Sequence, residues 1–213
     1  GEFMPTEDMA ISMRRVTAKC CNRIARRAFE SAMQRRKLVT AVHKANVLRI
    51  SDALFLREVR KVALEFPEVR LDEKIVDAMA ALLVRDPTQF DVIVTTNMFG
   101  DILSDEASEL SGSIGLAGSV MAGDDLCVAQ AQHGSAPDIA GKDKANPTSL
   151  ILSAAMLLEW LGRRHNSAAC TLAAQKIDAA IDSALQDPAT RTADLGGKLG
   201  TQAFAKVVAE RLA

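Results

Sequence analysis

Helical and strand patterns alternate along this chain, and the alternation constrains the fold more than any other feature of the sequence. Apolar residues recur every four positions over residues 16–28, which is typical of an amphipathic helix that we expect to run to about residue 36. Residues 38–42 and 91–95 are short runs rich in β-branched side chains and predict buried strands. Further helices are predicted at residues 51–66, 72–85, 148–161 and 202–212. Another helix is predicted from residue 101 onward, and one more runs from the polar break at residues 163–166 to about residue 185. This order predicts an α/β protein with a mostly parallel sheet.

The composition is that of a globular protein with a core, and it excludes several classes. The chain is 48% hydrophobic and its formal net charge is −1, so no overall field attracts nucleic acid or an anionic membrane. The longest apolar run, residues 150–158, is far shorter than the roughly 18–20 residues of a membrane span. We therefore expect a soluble, cytoplasmic protein. Its cysteines lack metal-ligand spacing and should be reduced thiols: Cys20, Cys21, Cys127 and Cys170.

We expect no secretory leader, because the first residues show no charged segment followed by an apolar one. Gly1-Glu2-Phe3 precede Met4 and are interpreted as a cloning remnant, outside the fold. The chain also contains no tyrosine.

A pair of carboxylates after the second strand is the strongest chemical signal. Asp101 and Asp105 are four positions apart on a predicted helix, so both side chains project from one face. Open α/β sheets bind their ligands beyond the carboxyl ends of the strands, and Mg²⁺ or Mn²⁺ prefers carboxylate oxygens. Acidic side chains that favour the positive end of the helix dipole are the alternative interpretation.

Two further polar residues are candidates with ordinary alternatives. Lys44 follows the end of the first strand, where a working side chain is often placed, although it can equally be an exposed lysine. Asp77 lies in an otherwise apolar helical stretch, so it needs a partner charge, a metal ion or solvent.

Residues 133–147 predict a long polar loop before a helix. Such a loop can surround a nucleotide, although it matches no general phosphate-binding motif and can equally be a plain surface loop. An acidic residue such as Asp138 favours a free ribose 2′-hydroxyl over a 2′-phosphate.

Together these segments resemble the β-decarboxylating dehydrogenases, most closely the 3-isopropylmalate dehydrogenase branch. The resemblance rests on VHKANV, VDAMA, FDVIVTTNMFGDILSDEAS, HGSAPDIAGK, ANP and TADLGG, in this order, from about residue 24 to the C terminus. It implies an isopropylmalate dehydrogenase-like α/β fold, with a doubly wound, mostly parallel or mixed sheet that lacks the family's N-terminal part. Residues 4–111 would form a small dimer-interface domain with the metal and lysine site, and residues 112–213 part of a large cofactor-binding domain.

The resemblance also implies an activity: NAD- and metal-dependent oxidation of a 2-hydroxy acid of the 3-isopropylmalate type, followed by β-decarboxylation, in a homodimer. Asp101 and Asp105 would bind Mg²⁺ or Mn²⁺, and Asp77 would reach that metal from the partner subunit. Lys44, also across the dimer interface, would act in proton transfer at the 2-hydroxyl group. Asp138 would accept from the ribose and select NAD. The remaining cofactor contacts would come from the same loop: His133, Gly134, Ser135, Ala136, Pro137, Ile139 and Asn146.

The chain departs from the family pattern in two places. Gln130-Ala131-Gln132 replace the Glu-Pro-Val that often precedes the loop histidine. The family's substrate-clamping arginines and acid/base tyrosine belong to its N-terminal part. Only the region from Met13 onward in this chain can be placed against the family. Three alternatives therefore stay open: an isocitrate or tartrate/malate-type substrate, a catalytically incomplete module that dimerises or binds a partner, and nucleic-acid binding by the basic residues 14–37.

Overall fold

The computed structural model describes residues 1–212, which form two compact units that meet at residues 106 and 107. The first unit begins with two exposed strands, β1 (Glu2–Thr6) and β2 (Met9–Ser12), and the helix α1 (Ala18–Met33). Strands and helices then alternate: β3 (Leu38–His43), α2 (Ser51–Ala63), β4 (Arg70–Ile75), α3 (Val76–Arg85), β5 (Val92–Val94) and α4 (Asn97–Leu110). The last turn of α4 enters the second unit.

A three-stranded parallel sheet organises the first unit, in the order β4-β3-β5. The central strand β3 is buried on both faces, because its residues alternate between two separate core clusters. Val39 and Ala41 pack with α1 and α2, whereas Val42 packs with α3 and α4. Helices on both faces of a parallel sheet make the doubly wound α/β arrangement that the family resemblance implies.

Three local predictions for this unit are wrong. Residues 72–75 are predicted as the start of a helix but belong to the strand β4, which pairs residue by residue with β3. The helix α4 begins at Asn97, one turn before the predicted start. Glu2 and Phe3 are part of an antiparallel strand pair with β2 and lie within the fold.

The second unit packs helices against a short hairpin. Its strands β6 (Gly118–Ala122) and β7 (Cys127–Ala131) pair antiparallel. The helices are α5 (Thr148–His165), α6 (Ala168–Gln186) and α7 (Thr201–Leu212). Ser153 joins α5 to the hairpin, since its Oγ accepts from the Ser119 N–H (2.9 Å) and donates to the Gln130 carbonyl (2.7 Å).

No helix within residues 1–212 has the length and apolar character needed to cross a membrane.

Candidate active site and cofactor pocket

The carboxyl ends of the three parallel strands carry the predicted chemical groups of the first unit. Lys44 is the residue after β3, and Asp77 is the second residue after β4. Register places the ends of these two strands side by side, with His43 opposite Ile75. The neighbouring strand β5 leads directly into α4, which carries the carboxylate pair. The topology therefore delivers all of these side chains to one edge of the sheet, the edge where α/β folds bind ligands.

Lys44 and Asp77 form an ion pair at this edge. The Lys44 Nζ donates to the Asp77 carboxylate over 2.7 Å, with the Asp77 side chain 69% exposed and that of Lys44 26% exposed. The hydrogen bond from Lys44 holds the pKa of Asp77 below its ordinary value. Asp77 is thus a solvent-accessible carboxylate that is ionised at neutral pH and paired with the candidate proton-transfer group.

Asp101 and Asp105 lie on the second and third turns of α4, and both residues are exposed. The first turn of α4 contains no acidic residue, so the helix-dipole interpretation of these carboxylates loses its support, because that effect fades beyond the first turn. Two exposed carboxylates one helical turn apart are a hard-oxygen donor set of the kind that Mg²⁺ and Mn²⁺ take alongside water and substrate oxygens. The residues present therefore fit a divalent cation.

A complete metal cage is not formed by one chain. Within the described residues 1–212, no group of three or more His, Cys, Asp or Glu side chains is arranged to hold a metal ion. Asp77 is therefore not brought together with Asp101 and Asp105 in a single chain, and its predicted delivery from a partner subunit stays a prediction.

The predicted nucleotide loop encloses a cavity of about 490 Å³ in the second unit, within the range typical of small-molecule sites. Most of the predicted cofactor residues line it: His133, Gly134, Ser135, Ala136, Ile139 and Asn146. Pro137 and Asp138 do not; they lie in an exposed turn of 3₁₀ helix over residues 137–139. This turn is fastened at its base, because the Lys142 Nζ donates to the Asp138 carbonyl over 2.7 Å. A mostly apolar cavity with a few polar groups in its wall is typical of a small-molecule site.

Asp194, in the TADLGG segment, also lines this cavity, and the sequence assigns it no role. Its carboxylate accepts from the Ser113 hydroxyl (2.6 Å) and from the Asn146 Nδ2 (2.9 Å). The Asn146 Oδ1 in turn accepts from the Thr148 N–H (3.0 Å), so protein groups engage both ends of this buried side-chain amide. Asp194 therefore fixes the orientation of Asn146 in the cavity wall.

Burial raises the pKa of Asp194, but hydrogen bonds from Ser113 and Asn146 outweigh it, so the pKa lies below the ordinary value of 3.8. A lowered folded-state pKa means that the ionised group stabilises the fold above the unfolded-state pKa, and that this contribution disappears as the pH falls through the folded-state pKa.

We expect Asp194→Ala to lower the free energy of unfolding at pH 7 by about 1 kcal/mol, because Ser113 and Asn146 lose their acceptor. The loss stays small because the Asp194 carboxylate is only partly buried. The variant should also lose less stability than the parent between about pH 5 and 3, and bind NAD more weakly. Urea unfolding across this pH range and calorimetric NAD titration measure these effects. Asp187→Ala, which removes an exposed carboxylate with one backbone partner, is the control and should cost less. Equal effects of the two variants would contradict the role of Asp194.

The basic segment of residues 14–37 is largely neutralised by carboxylates. Its ion pairs include Arg26–Glu65, Arg27–Glu30, Arg35–Asp91 and Lys37–Glu68. A surface that tracks phosphates needs cations that are free to release counterions, so this pairing disfavours the nucleic-acid alternative.

The chain matches a known family over nearly its whole length. Residues 2–208 match the family described as isocitrate/isopropylmalate dehydrogenase. The isocitrate/homoisocitrate dehydrogenase of Thermus thermophilus is 48% identical over 206 residues, which are 96% of this chain and 59% of that protein. The 3-isopropylmalate/3-methylmalate dehydrogenase of Methanocaldococcus jannaschii is 44% identical over 97% of this chain and 61% of its own length.

A solved structure shares the fold. The isocitrate dehydrogenase of Methylococcus capsulatus superposes with a TM-score of 0.88 at 41% identity, over 99% of this chain and 62% of that one. This chain therefore spans about three fifths of the length of the relatives that it matches.

The match begins at residue 2, well before the position predicted from the motifs, and it includes Glu2 and Phe3 of β1. Their exclusion from the fold is therefore wrong, and their origin as a cloning remnant stays a prediction. The family and the α/β fold class predicted from the motifs are confirmed: this chain belongs to the isocitrate/isopropylmalate dehydrogenase family.

Proposed function

We propose that this chain carries the metal, lysine and cofactor sites of an NAD- and divalent-metal-dependent dehydrogenase that oxidises and decarboxylates a 2-hydroxy acid of the 3-isopropylmalate type. One observation carries the proposal: three adjacent parallel strands end at Lys44, at Asp77 and at the helix of Asp101 and Asp105. We assign residues 4–111 to the metal and dimer-interface domain and residues 112–213 to the cofactor-binding part. The cytoplasmic location stays a prediction from the sequence.

In the proposed reaction, each of these residues has a separate role. When bound, NAD supplies the hydride acceptor, and the divalent cation supplies a Lewis acid at the substrate oxygens. Asp101 and Asp105 would hold the cation, with Asp77 completing its ligands from the partner subunit. The Lys44 Nζ would exchange the proton of the 2-hydroxyl group, with the Asp77 carboxylate keeping that nitrogen in place.

The wall of the second-unit cavity would orient the adenosine. Asp138, exposed on its turn, would accept from the ribose hydroxyls and repel a 2′-phosphate. Because the side-chain amide of Asn146 is engaged by Asp194 and Thr148, we assign its adenine contact to other atoms of this residue.

The pair of strands at the N terminus supports the proposed homodimer. Every residue of β1 and β2 is exposed, including the large apolar side chains of Phe3, Met4, Met9 and Ile11. An isolated two-stranded hairpin is at best marginally stable in water, so an arm of this kind needs a further surface to cover its apolar side chains. A second copy of the chain is the partner that the proposal names.

The substrate could belong to another branch of the family. Relatives with similar identity are named for isocitrate/homoisocitrate and for 3-isopropylmalate/3-methylmalate, and the first of these is the more similar of the two. Isocitrate and tartrate/malate-type acids are therefore alternatives to 3-isopropylmalate.

A second candidate function keeps the fold without turnover. The chain contains no tyrosine, and it spans about three fifths of its relatives, so it lacks the acid/base tyrosine that the family resemblance implies. In this alternative, the chain is a dimerising or partner-binding module that a separate N-terminal segment completes.

The decisive experiment combines turnover with binding. We expect NADH formation from 3-isopropylmalate, NAD and Mn²⁺, and a loss of roughly 100-fold or more in kcat when Lys44 is replaced by Met. Lys19→Met, which changes an exposed lysine on α1, is the control and should match the parent. Calorimetric binding of NAD and Mn²⁺ without turnover would favour the incomplete module, and absence of binding would contradict both functions. Isocitrate and malate, tested in parallel, assign the substrate.

A further inference from the structure

A fully buried carboxylate lies directly behind Lys44. Asp52, in the first turn of α2, has 0% of its surface exposed, and its Oδ2 accepts the Lys44 backbone N–H over 2.7 Å. The same segment is closed by backbone bonds, since the Lys44 carbonyl accepts from Leu48 (2.8 Å) and the Leu48 carbonyl accepts from Asp52 (3.1 Å). The loop that presents Lys44 is therefore fastened to the start of α2 at both of its ends.

The buried charge of Asp52 is matched by Arg14. The Arg14 guanidinium donates to the Asp52 Oδ1 and also to the Ser51 hydroxyl over 3.0 Å. A buried carboxylate is costly unless it is paired and hydrogen-bonded. Three donors satisfy the Asp52 oxygens: the Arg14 guanidinium, the Lys44 N–H and, at 3.4 Å, the Ser51 hydroxyl.

Arg14 continues beyond this pair to the helix that carries the metal carboxylates. A second nitrogen of its guanidinium lies 3.4 Å from the Thr96 hydroxyl, just before α4. Its central carbon also lies 5.7 Å from the ring centre of Phe99, in the first turn of α4, at a distance typical of a cation–π contact. One side chain thus contacts both the segment behind Lys44 and the beginning of the helix of Asp101.

We propose that Arg14 and Asp52 are positioning residues, forming a link from the buried Asp52 carboxylate to the partly exposed Arg14 side chain that supports both the Lys44 backbone and the first turn of α4. Asp52 would act through the Lys44 backbone, and Arg14 would act through Asp52, Thr96 and Phe99. The inference rests on the proposed function for its catalytic meaning, because it assigns these two residues to the sites of Lys44 and Asp101. The link itself is a property of the first unit alone.

The test separates the link from a merely structural ion pair. A double variant, Arg14→Met with Asp52→Leu, removes both charges together, and such an exchange of a buried pair for apolar side chains is often neutral for stability. We expect cooperative thermal unfolding to be kept. Amide hydrogen exchange at Lys44 should accelerate about tenfold or more, the factor that corresponds to loss of a bond to a charged acceptor. Mn²⁺ affinity, measured by calorimetry, should fall at least threefold, because residues that hold metal ligands in place contribute to the affinity of the site.

A conservative variant divides the link into its two halves. Arg14→Lys keeps a cation for Asp52 but loses the second nitrogen that reaches Thr96. We expect it to restore slow exchange at the Lys44 amide while Mn²⁺ affinity stays reduced. If the variant enzyme turns over, kcat should fall more than the substrate KM changes, because the link sets geometry rather than binding contacts.

The matched control is the double variant Arg57→Met with Glu58→Leu, which removes another buried acid and its arginine partner from the same helix α2. It should leave Lys44 exchange and Mn²⁺ affinity as in the parent. Unchanged Lys44 exchange in the Arg14/Asp52 double variant, equal effects of the two double variants, or an unfolded Arg14/Asp52 variant would each overturn the proposal. Failure of the parent chain to bind Mn²⁺ would instead contradict the proposed function, and the exchange measurement would still decide whether the link exists.

Discussion

Replacement of Asp101 by asparagine should weaken Mn²⁺ binding by at least about tenfold. Loss of a residue that only supports a metal ligand already lowers metal affinity by about this factor, and Asp101 is proposed as a ligand itself. The substitution keeps the size of the side chain and removes its negative charge. Asp101 and Asp105 are exposed on one face of α4, so the change leaves the core packing of Leu103 on the opposite side untouched. The expected loss is therefore one of affinity with the same unfolding temperature.

Glu106→Gln is the matched control for this prediction. It removes one charge from the same helix at the position next to Asp105, on a side chain that points in another direction than Asp101. Calorimetric titration of Mn²⁺ into both variants should show a large change for Asp101→Asn and a small, salt-dependent one for Glu106→Gln. If the two variants bind Mn²⁺ equally well, the assignment of Asp101 as a ligand is wrong.

Of the glycine-to-alanine substitutions in the second unit, Gly197→Ala should be the most destabilising. A Cβ at Gly197 would lie 2.0 Å from the Arg191 carbonyl oxygen and 2.3 Å from its carbon, so the backbone itself must move. The Gly197 N–H also donates to the Thr192 carbonyl over 2.9 Å, and this bond closes the turn that presents Asp194. We expect a loss of about 3 kcal/mol or more, which lowers the melting temperature of a chain of this size by roughly 6–12 °C.

Two measurements check this prediction. Calorimetric melting gives the change in stability, and NAD titration reports the displacement of Asp194 as weaker binding. Gly134→Ala serves as the stability control, because an added Cβ at Gly134 meets no atom within 4 Å. Its melting temperature should match the parent, with a change in free energy within about 0.5 kcal/mol. A Gly197→Ala protein as stable as Gly134→Ala would show that the turn relaxes freely, contrary to the crowding described.

The sequence predicts the parts of this fold that are buried, and it misses the parts that are not. The central strand β3 and the strand β5 are short apolar runs, so their pattern is visible in the sequence. The strand β4 has the sequence RLDEKI, which is mostly polar because β4 is an outer strand of the sheet. Only its pairing with β3 identifies it. The arm of β1 and β2 is exposed throughout and has no burial pattern at all.

The site follows the same division. Lys44 and Asp101 follow strands that are recognisable in the sequence, and the structure brings both to the predicted end of the sheet. Asp77 follows β4, so its place beside Lys44 is visible only in the structure. Asp194 comes from a turn that is distant in the sequence from the loop it supports, and only the tertiary contact with Asn146 reveals its part in the cavity wall. The buried position of Asp52 is equally invisible, because an acidic residue at the start of a helix is ordinarily interpreted as a cap.

Within residues 1–212, Asp77 is not grouped with the carboxylates of α4, and in the proposed dimer this arrangement has a genetic consequence. In the proposed dimer, each active site takes its lysine from one chain and Asp101 from the other, so a chain that lacks Lys44 and a chain that lacks Asp101 are defective in different sites. Each chain alone forms only damaged homodimers. A mixed dimer concentrates both defects in one site and leaves the other intact, so two inactive alleles would complement each other and restore up to half of the activity per dimer.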